Sequence, residues 1–96
     1  MIDVAADFSR APLGRYISDG PNSGQRFRED FLIPALQKYK QILVDFTGTR
    51  PVGSSFLEEA FGGLRREGFD ASHLLSTISV RGRDPGMEYE VRSYMR

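Results

Sequence analysis

The chain has no cysteine, which excludes disulfide staples and thiolate metal sites. Its single histidine, His73, cannot form a zinc site alone, and no metal or other cofactor is expected. Neither sign of charge is in excess, because 13 basic and 13 acidic side chains cancel. Nucleic-acid binders draw affinity from a basic surplus that displaces counterions, and often from aromatics for base stacking. Neither pattern is present, so nucleic acid is not an expected partner. No apolar run approaches the ~20 residues of a membrane-spanning helix. Met1 to Phe8 carries Asp3 and Asp7 without the basic, apolar build of a signal peptide. These absences fit a soluble, cytoplasmic domain. Zero net charge also weakens colloidal repulsion, which favours a protein partner or a homodimer.

What is there suits one small domain. A chain of 96 residues holds a single compact core and is too short for two. Residues 2–8 alternate weakly and read as a strand. Residues 9–22 are rich in turn-forming Gly, Pro, Ser and Asn, with a short extended piece at Arg15-Tyr16-Ile17. A helix is predicted from Ser23, with Phe27, Phe31, Ala35 and Tyr39 on one face and a kink at Pro34. Ile42, Leu43 and Val44 are consecutive and apolar, as in a strand covered on both faces. Ser55 to Glu67 carries the apolar stripe Phe56, Leu57, Ala60, Phe61 and Leu64, and Gly68 ends that helix. Leu74 to Val80 alternates like a strand, with His73 at its start. Asp84 caps and Pro85 opens a last helix, with Met87, Val91, Tyr94 and Met95 facing inward. The order implies an α/β fold with a small, mixed but largely parallel sheet of about four strands, backed by about three helices.

Parallel strands place ligands at their carboxyl ends, where loops meet helix starts. Two such places stand out. At Gly53-Ser54-Ser55, the pairing of Ser55 with Glu58 reads as a capping box. Ser54 is left free, beside open backbone amides and the positive end of the helix dipole, where a phosphate would be held favourably. The glycine pair Gly62-Gly63 inside this helix reads as close packing against a neighbour, or as a smooth docking surface. The second place is the loop from Gly14 to Glu29. Arg15, Asp19, Ser23, Gly24, Arg26 and Arg28 cluster there, and amides with guanidinium groups can hold a phosphate. The bland reading of the same residues is a tight loop with Ser23 as helix cap and Arg28 paired to a carboxylate. Asp45, at the end of the best strand, either orders nearby loops or assists at the same site. Catalysis is not expected, since Ser54 and Ser55 have only His73 as a possible base and no spacing places it near them.

The strings GRYISDGPNSGQRFRE, LIPAL, VDFTG and SSFLEEAFGGL resemble a STAS-like family of unassigned function, and the likeness spans nearly the whole chain, from Phe8 to Tyr94. That family is related to the domain shared by sulfate transporters and anti-sigma factor antagonists. The resemblance implies a small sheet backed by helices and a regulatory protein-binding role. In the antagonists, a serine opening the helix after the central strand is phosphorylated by a histidine-kinase-like ATPase, and phosphorylation breaks the complex. Ser54 falls at that position, with Ser55 next to it. The resemblance therefore implies a partner such as an ATPase-type kinase or an anti-sigma factor. The chain departs from the antagonists in having Gly53 where they carry Asp, and Phe56 after the serines where they carry Gly. A second function fits the arginine-rich loop, a sensor for a small anion or nucleotide.

Overall fold

A computed structural model describes all residues, 1–96. Three strands, β1 (Ile2–Asp3), β2 (Ile42–Asp45) and β3 (Ile78–Arg81), form one parallel sheet in the order β1-β2-β3. Ile2 lies opposite Val44, and Ile42 and Val44 lie opposite Ile78 and Val80. The sheet is α/β and parallel as anticipated, but it has three strands instead of about four. The missing strand is the short Arg15–Ile17 piece. It leads instead into a 3₁₀ turn at Ile17–Asp19, closed by the Asp19 carboxylate, which accepts from the Arg15 and Tyr16 amides. The first strand is also shorter than its alternation suggested. Asp3 turns the chain after two residues by accepting from the Ala6 amide, and Val4–Phe8 winds into one wide helical turn.

Four helices follow. Helix α1 spans 24–38, α2 spans 54–66, α3 is Ala71–Thr77 and α4 is Pro85–Tyr94. Both long helices contain a π turn, at Arg28–Leu32 in α1 and Glu58–Gly62 in α2. In α1 this turn precedes Pro34, and the Ile33 amide donates to the Arg28 carbonyl five residues back. The wider turn accommodates a residue without an N–H, and the helix continues through it. Helix α3 replaces the first part of the strand anticipated from Leu74. Asp70 accepts from the His73 amide at 3.1 Å and starts a helix there, so His73 lies in its first turn. Only Ile78 onward is extended. Asp84 caps α4 as expected, accepting from the Gly86 amide, and Gly68 follows α2 with a φ of 101° that favours glycine.

Helix α2 lies between α1 and α4, and the three cover one face of the sheet. Along β2 and β3 the buried residues alternate with less buried ones: Ile42, Val44, Ile78 and Val80 point inward, while Ser79 and Arg81 are exposed. The apolar run 42–44 is therefore covered on one face only, with Leu43 half-buried on the other. The core is rich in phenylalanine. Phe27 sits among Phe8, Phe31, Phe46, Phe56 and Phe61 with ring centroids 5.2–6.4 Å apart, distances at which tilted and edge-on rings attract. Val91 on α4 and Met95 just after it complete the core, and Met87 and Tyr94 pack at its margin.

Candidate functional site at the carboxyl edge of the sheet

Helices α1 and α2 run side by side in the same direction, so their starts lie at the same end. A Cβ on Gly24 would collide with the Phe56 carbonyl, and one on Gly63 with the Arg28 guanidinium. Gly24 and Gly63 thus let the helices approach closely. Between them lies a buried ion pair: the Arg28 Nη1 donates to Glu59 Oε2 at 2.8 Å and to the Glu59 carbonyl. Arg28 Nε reaches Glu67 Oε2 at 2.5 Å. Arg28 and Glu59 each fall in the π turn of their helix. No buried side-chain nitrogen or oxygen lacks a hydrogen-bond partner, as a buried charge pair requires.

The network extends toward the loop. Arg15 Nη1 donates to Glu58 at 2.5 Å and lies 3.5 Å from Glu59. Arg66 donates to Glu58 at 2.6 Å and to Glu59 at 3.2 Å. The hydrogen bond from Arg66, followed by that from Arg15, holds the Glu58 carboxyl below the usual range. The Arg15 and Arg66 guanidiniums are stabilised in turn by Glu58.

The two helix starts differ. At α1, the Gly24 and Gln25 amides donate to the Gly14 and Arg15 carbonyls at 2.9 and 3.0 Å. The buried Ser23 caps the Arg26 amide at 3.2 Å. Arg26 turns away to Asp30 on the exposed face. The loop and its helix start are satisfied from within. At α2, Gly53 is the cap and has no side chain to offer, and Ser54 and Ser55 are both exposed. The capping box anticipated between Ser55 and Glu58 does not form. The helix begins one residue earlier, which puts Ser55 inside the first turn, and the Glu58 carboxylate is held by Arg15 and Arg66 instead of reaching back. The Ser54 hydroxyl lies near that of Tyr94, which donates to Glu90 at 2.7 Å. That hydrogen bond and partial burial raise the Tyr94 hydroxyl above its ordinary pKa. Asp45 accepts from the Thr47 amide and hydroxyl at 2.9 and 2.7 Å, which orders the loop after β2. Those bonds, with Arg81 3.7 Å away, hold its carboxyl below the usual range.

Helices start at the two anticipated places, at Ser23 and at Ser54, and the fold also brings together three residues that the sequence did not single out, Arg10, Arg50 and Arg83. These converge at the same edge around a cleft of about 420 Å³. A second cleft of about 430 Å³ adjoins it, with Phe46, Val52, Leu57 and Met87 in its wall. Only the position of Arg50 and Arg83 just beyond two strand ends could have signalled them. No helix is long and apolar enough to cross a membrane.

Fold and edge together define a small parallel α/β domain whose loops and helix starts are displayed at the carboxyl ends of its strands. Residues 23–86 match the STAS-like domain of unknown function (DUF4325), and the chain belongs to that family. Comparison with curated proteins and with solved structures gave no match.

Proposed function

We propose that this domain is a regulatory protein–protein interaction module without catalytic activity of its own. Its contact surface combines the loop before α1 with the start of α2. The observation that carries this reading is a group of large apolar side chains held outward on that loop: Leu13, Tyr16 and Ile17 are 74%, 50% and 48% exposed. Singly such exposure is ordinary, but three within five residues on an ordered loop suit a partner contact. The loop is pinned to α2 by Arg15, so contact there is felt at the Ser54 end.

Ser54 is the proposed switch. It is exposed and opens the helix after the central strand. The first amides of α2 favour a phosphate. Glu58, one turn on, and Glu90 beyond Tyr94 oppose it. A phosphate would change the charge of the contact surface by about two units and compete with Glu58 for Arg15. The partner type suggested by the family's relatives is an ATPase-type protein kinase or an anti-sigma factor. The other reading, an anion or nucleotide sensor built on the Arg15–Arg28 loop, requires Arg15 and Arg28 to leave Glu58, Glu59 and Glu67.

The test is a binding titration against kinase-like ATPases from the same genome, any encoded beside this chain first. Ile17→Ser and Ser54→Asp are each expected to weaken the complex about tenfold or more while the fold is unchanged. Mass spectrometry after incubation with ATP is expected to place the phosphate on Ser54. Wild-type affinity in both variants would rule this surface out.

A further inference from the structure

We propose that the carboxyl edge of the sheet also binds a small organic phosphate, with the phosphate on Arg10, Arg50 and Arg83 and an apolar body in the adjoining cleft. This site adjoins the start of α2 but uses residues other than Leu13, Tyr16, Ile17 and Ser54, and it does not depend on the protein-contact reading.

The first argument is the distribution of partners. Arg15, Arg26, Arg28, Arg66 and Arg81 each have a carboxylate within 4.0 Å; the other six arginines have none, and three of those six, Arg10, Arg50 and Arg83, line one cleft. These three nevertheless lie together. The Arg50 amide donates to the Arg10 carbonyl at 2.8 Å, which ties the start of the chain to the loop after β2. Arg83 Nη2 donates to the Thr49 carbonyl at 3.0 Å, which ties the loop after β3 to the same place. Three like charges held together by the backbone repel one another. An anion between them relieves that repulsion and takes up the free guanidinium donors.

The second argument is the contrast between the two clefts. The arginine-lined cleft has no carboxylate in its wall. The neighbouring cleft shares Thr49, Arg50 and Arg83 with it but adds Asp84 and Glu90 above an apolar floor that includes Phe46, Val52 and Met87. Two carboxylates turn a phosphate away, and the apolar floor accepts a ring or branched chain. The charges therefore set one orientation, with the anionic end toward Arg10 and the body toward Met87. Each cleft is within the size range of small-molecule sites.

The experiment is calorimetric titration of the whole chain with phenyl phosphate, inorganic phosphate and phenol at low salt. Phenyl phosphate is expected to bind saturably with a Kd of about 1 mM or better, inorganic phosphate about tenfold more weakly, and phenol not at all. Arg50→Gln and Arg10→Gln are each expected to weaken phenyl phosphate about tenfold. Lys40→Gln makes the same charge change on an exposed residue at the opposite edge, just before β2, and is expected to leave binding unaltered. Arg10 and Arg50 are exposed, and circular dichroism checks that their variants fold. No saturable binding up to about 10 mM phenyl phosphate overturns the site. Equal losses in Arg50→Gln and Lys40→Gln reduce it to general charge attraction and also overturn it. Equal affinity for phenyl phosphate and inorganic phosphate overturns the role of the apolar cleft.

Discussion

The loop before α1 and the loop before α2 look alike in sequence and differ in state. Both follow the sheet's carboxyl edge, both carry arginine and glycine, and both lead to serine at a helix start. The first closes on itself: its carbonyls accept the first amides of α1, Ser23 caps the helix, and Arg15 and Arg28 are bound by Glu58, Glu59 and Glu67. The second stays open: Gly53 offers no cap, Ser54 is exposed, and Arg50 has no carboxylate partner. The same residue types serve architecture in one loop and remain available in the other. What decides between them is the neighbouring helix. Helix α2 presents Glu58 and Glu59 to the first loop, where arginines bind both, whereas Asp84 and Glu90 line the second loop's cleft without coming within 4.0 Å of Arg50.

The comparison is tested hardest at Arg28. Its side chain and that of Glu59 are both only 8% exposed. Arg28→Ala leaves a buried carboxylate with its main partner gone, and such a loss costs about 3–5 kcal/mol. Denaturant unfolding measures it. Adding Glu59→Leu to that variant is expected to recover much of the loss, because the uncompensated charge is then removed too. A cost below about 1 kcal/mol for Arg28→Ala would mean that the first loop's arginines are as free as the second's.

Next comes the close approach of the helices. Gly24→Ala drives a methyl into the Phe56 carbonyl, a backbone atom that cannot swing aside, and overpacking of this kind costs about 1–3 kcal/mol. Gly62→Ala meets only the ends of the Glu58 and Arg66 side chains, which can shift where a backbone atom cannot. That variant is expected to lie within about 0.5 kcal/mol of wild type. Comparing the two melting temperatures separates helix packing from a general intolerance of side chains.

Much of this was legible in the sequence, and the failures have physical causes. The β2 strand, the α2 stripe, the Gly68 stop and the Asp84-Pro85 start all follow from local pattern. So did the Ser23 cap and the pairing of Arg28 with a carboxylate, the bland reading of that loop. Helix α3 was hidden because Ile78 and Val80 continue the alternation of a strand backward through Leu74, while the Asp70 cap that reverses the outcome is one hydrogen bond. The Ser55 capping box failed for a tertiary reason: Glu58 finds two guanidiniums across the helix pair, which outcompete its own backbone. Arg10, Arg50 and Arg83 are far apart in sequence, and only the parallel pairing of β1, β2 and β3 brings their loops together.

Acid should weaken the closed loop by loss of Glu58. Its carboxyl is held below the usual range, chiefly by Arg66 and then by Arg15. A depressed carboxylate adds stability that is fully present above its unfolded pKa and is lost as pH falls through the folded one. Wild type is therefore expected to lose stability faster than Glu58→Gln below about pH 5. The difference should stay below about 1 kcal/mol, since Glu58 is partly exposed. Parallel curves for the two proteins would show that Arg15 and Arg66 contribute nothing through this carboxylate.

The smallest effect is the most informative about the two helix starts. Ser23 accepts from the Arg26 amide and is fully buried, so Ser23→Ala is expected to cost about 1 kcal/mol. Ser55 is exposed, lies inside the first turn of α2 and caps nothing. Ser55→Ala is expected to change stability by less than about 0.5 kcal/mol. Alanine is the better helix former at such a position, so any change is expected to favour the variant. Denaturant midpoints of the two variants, measured side by side, give the comparison directly. A loss at Ser55 equal to that at Ser23 would show that α2 is capped by a side chain after all. Its first amides would then be satisfied like those of α1, and the open state assigned to the Ser54 end would fall with them.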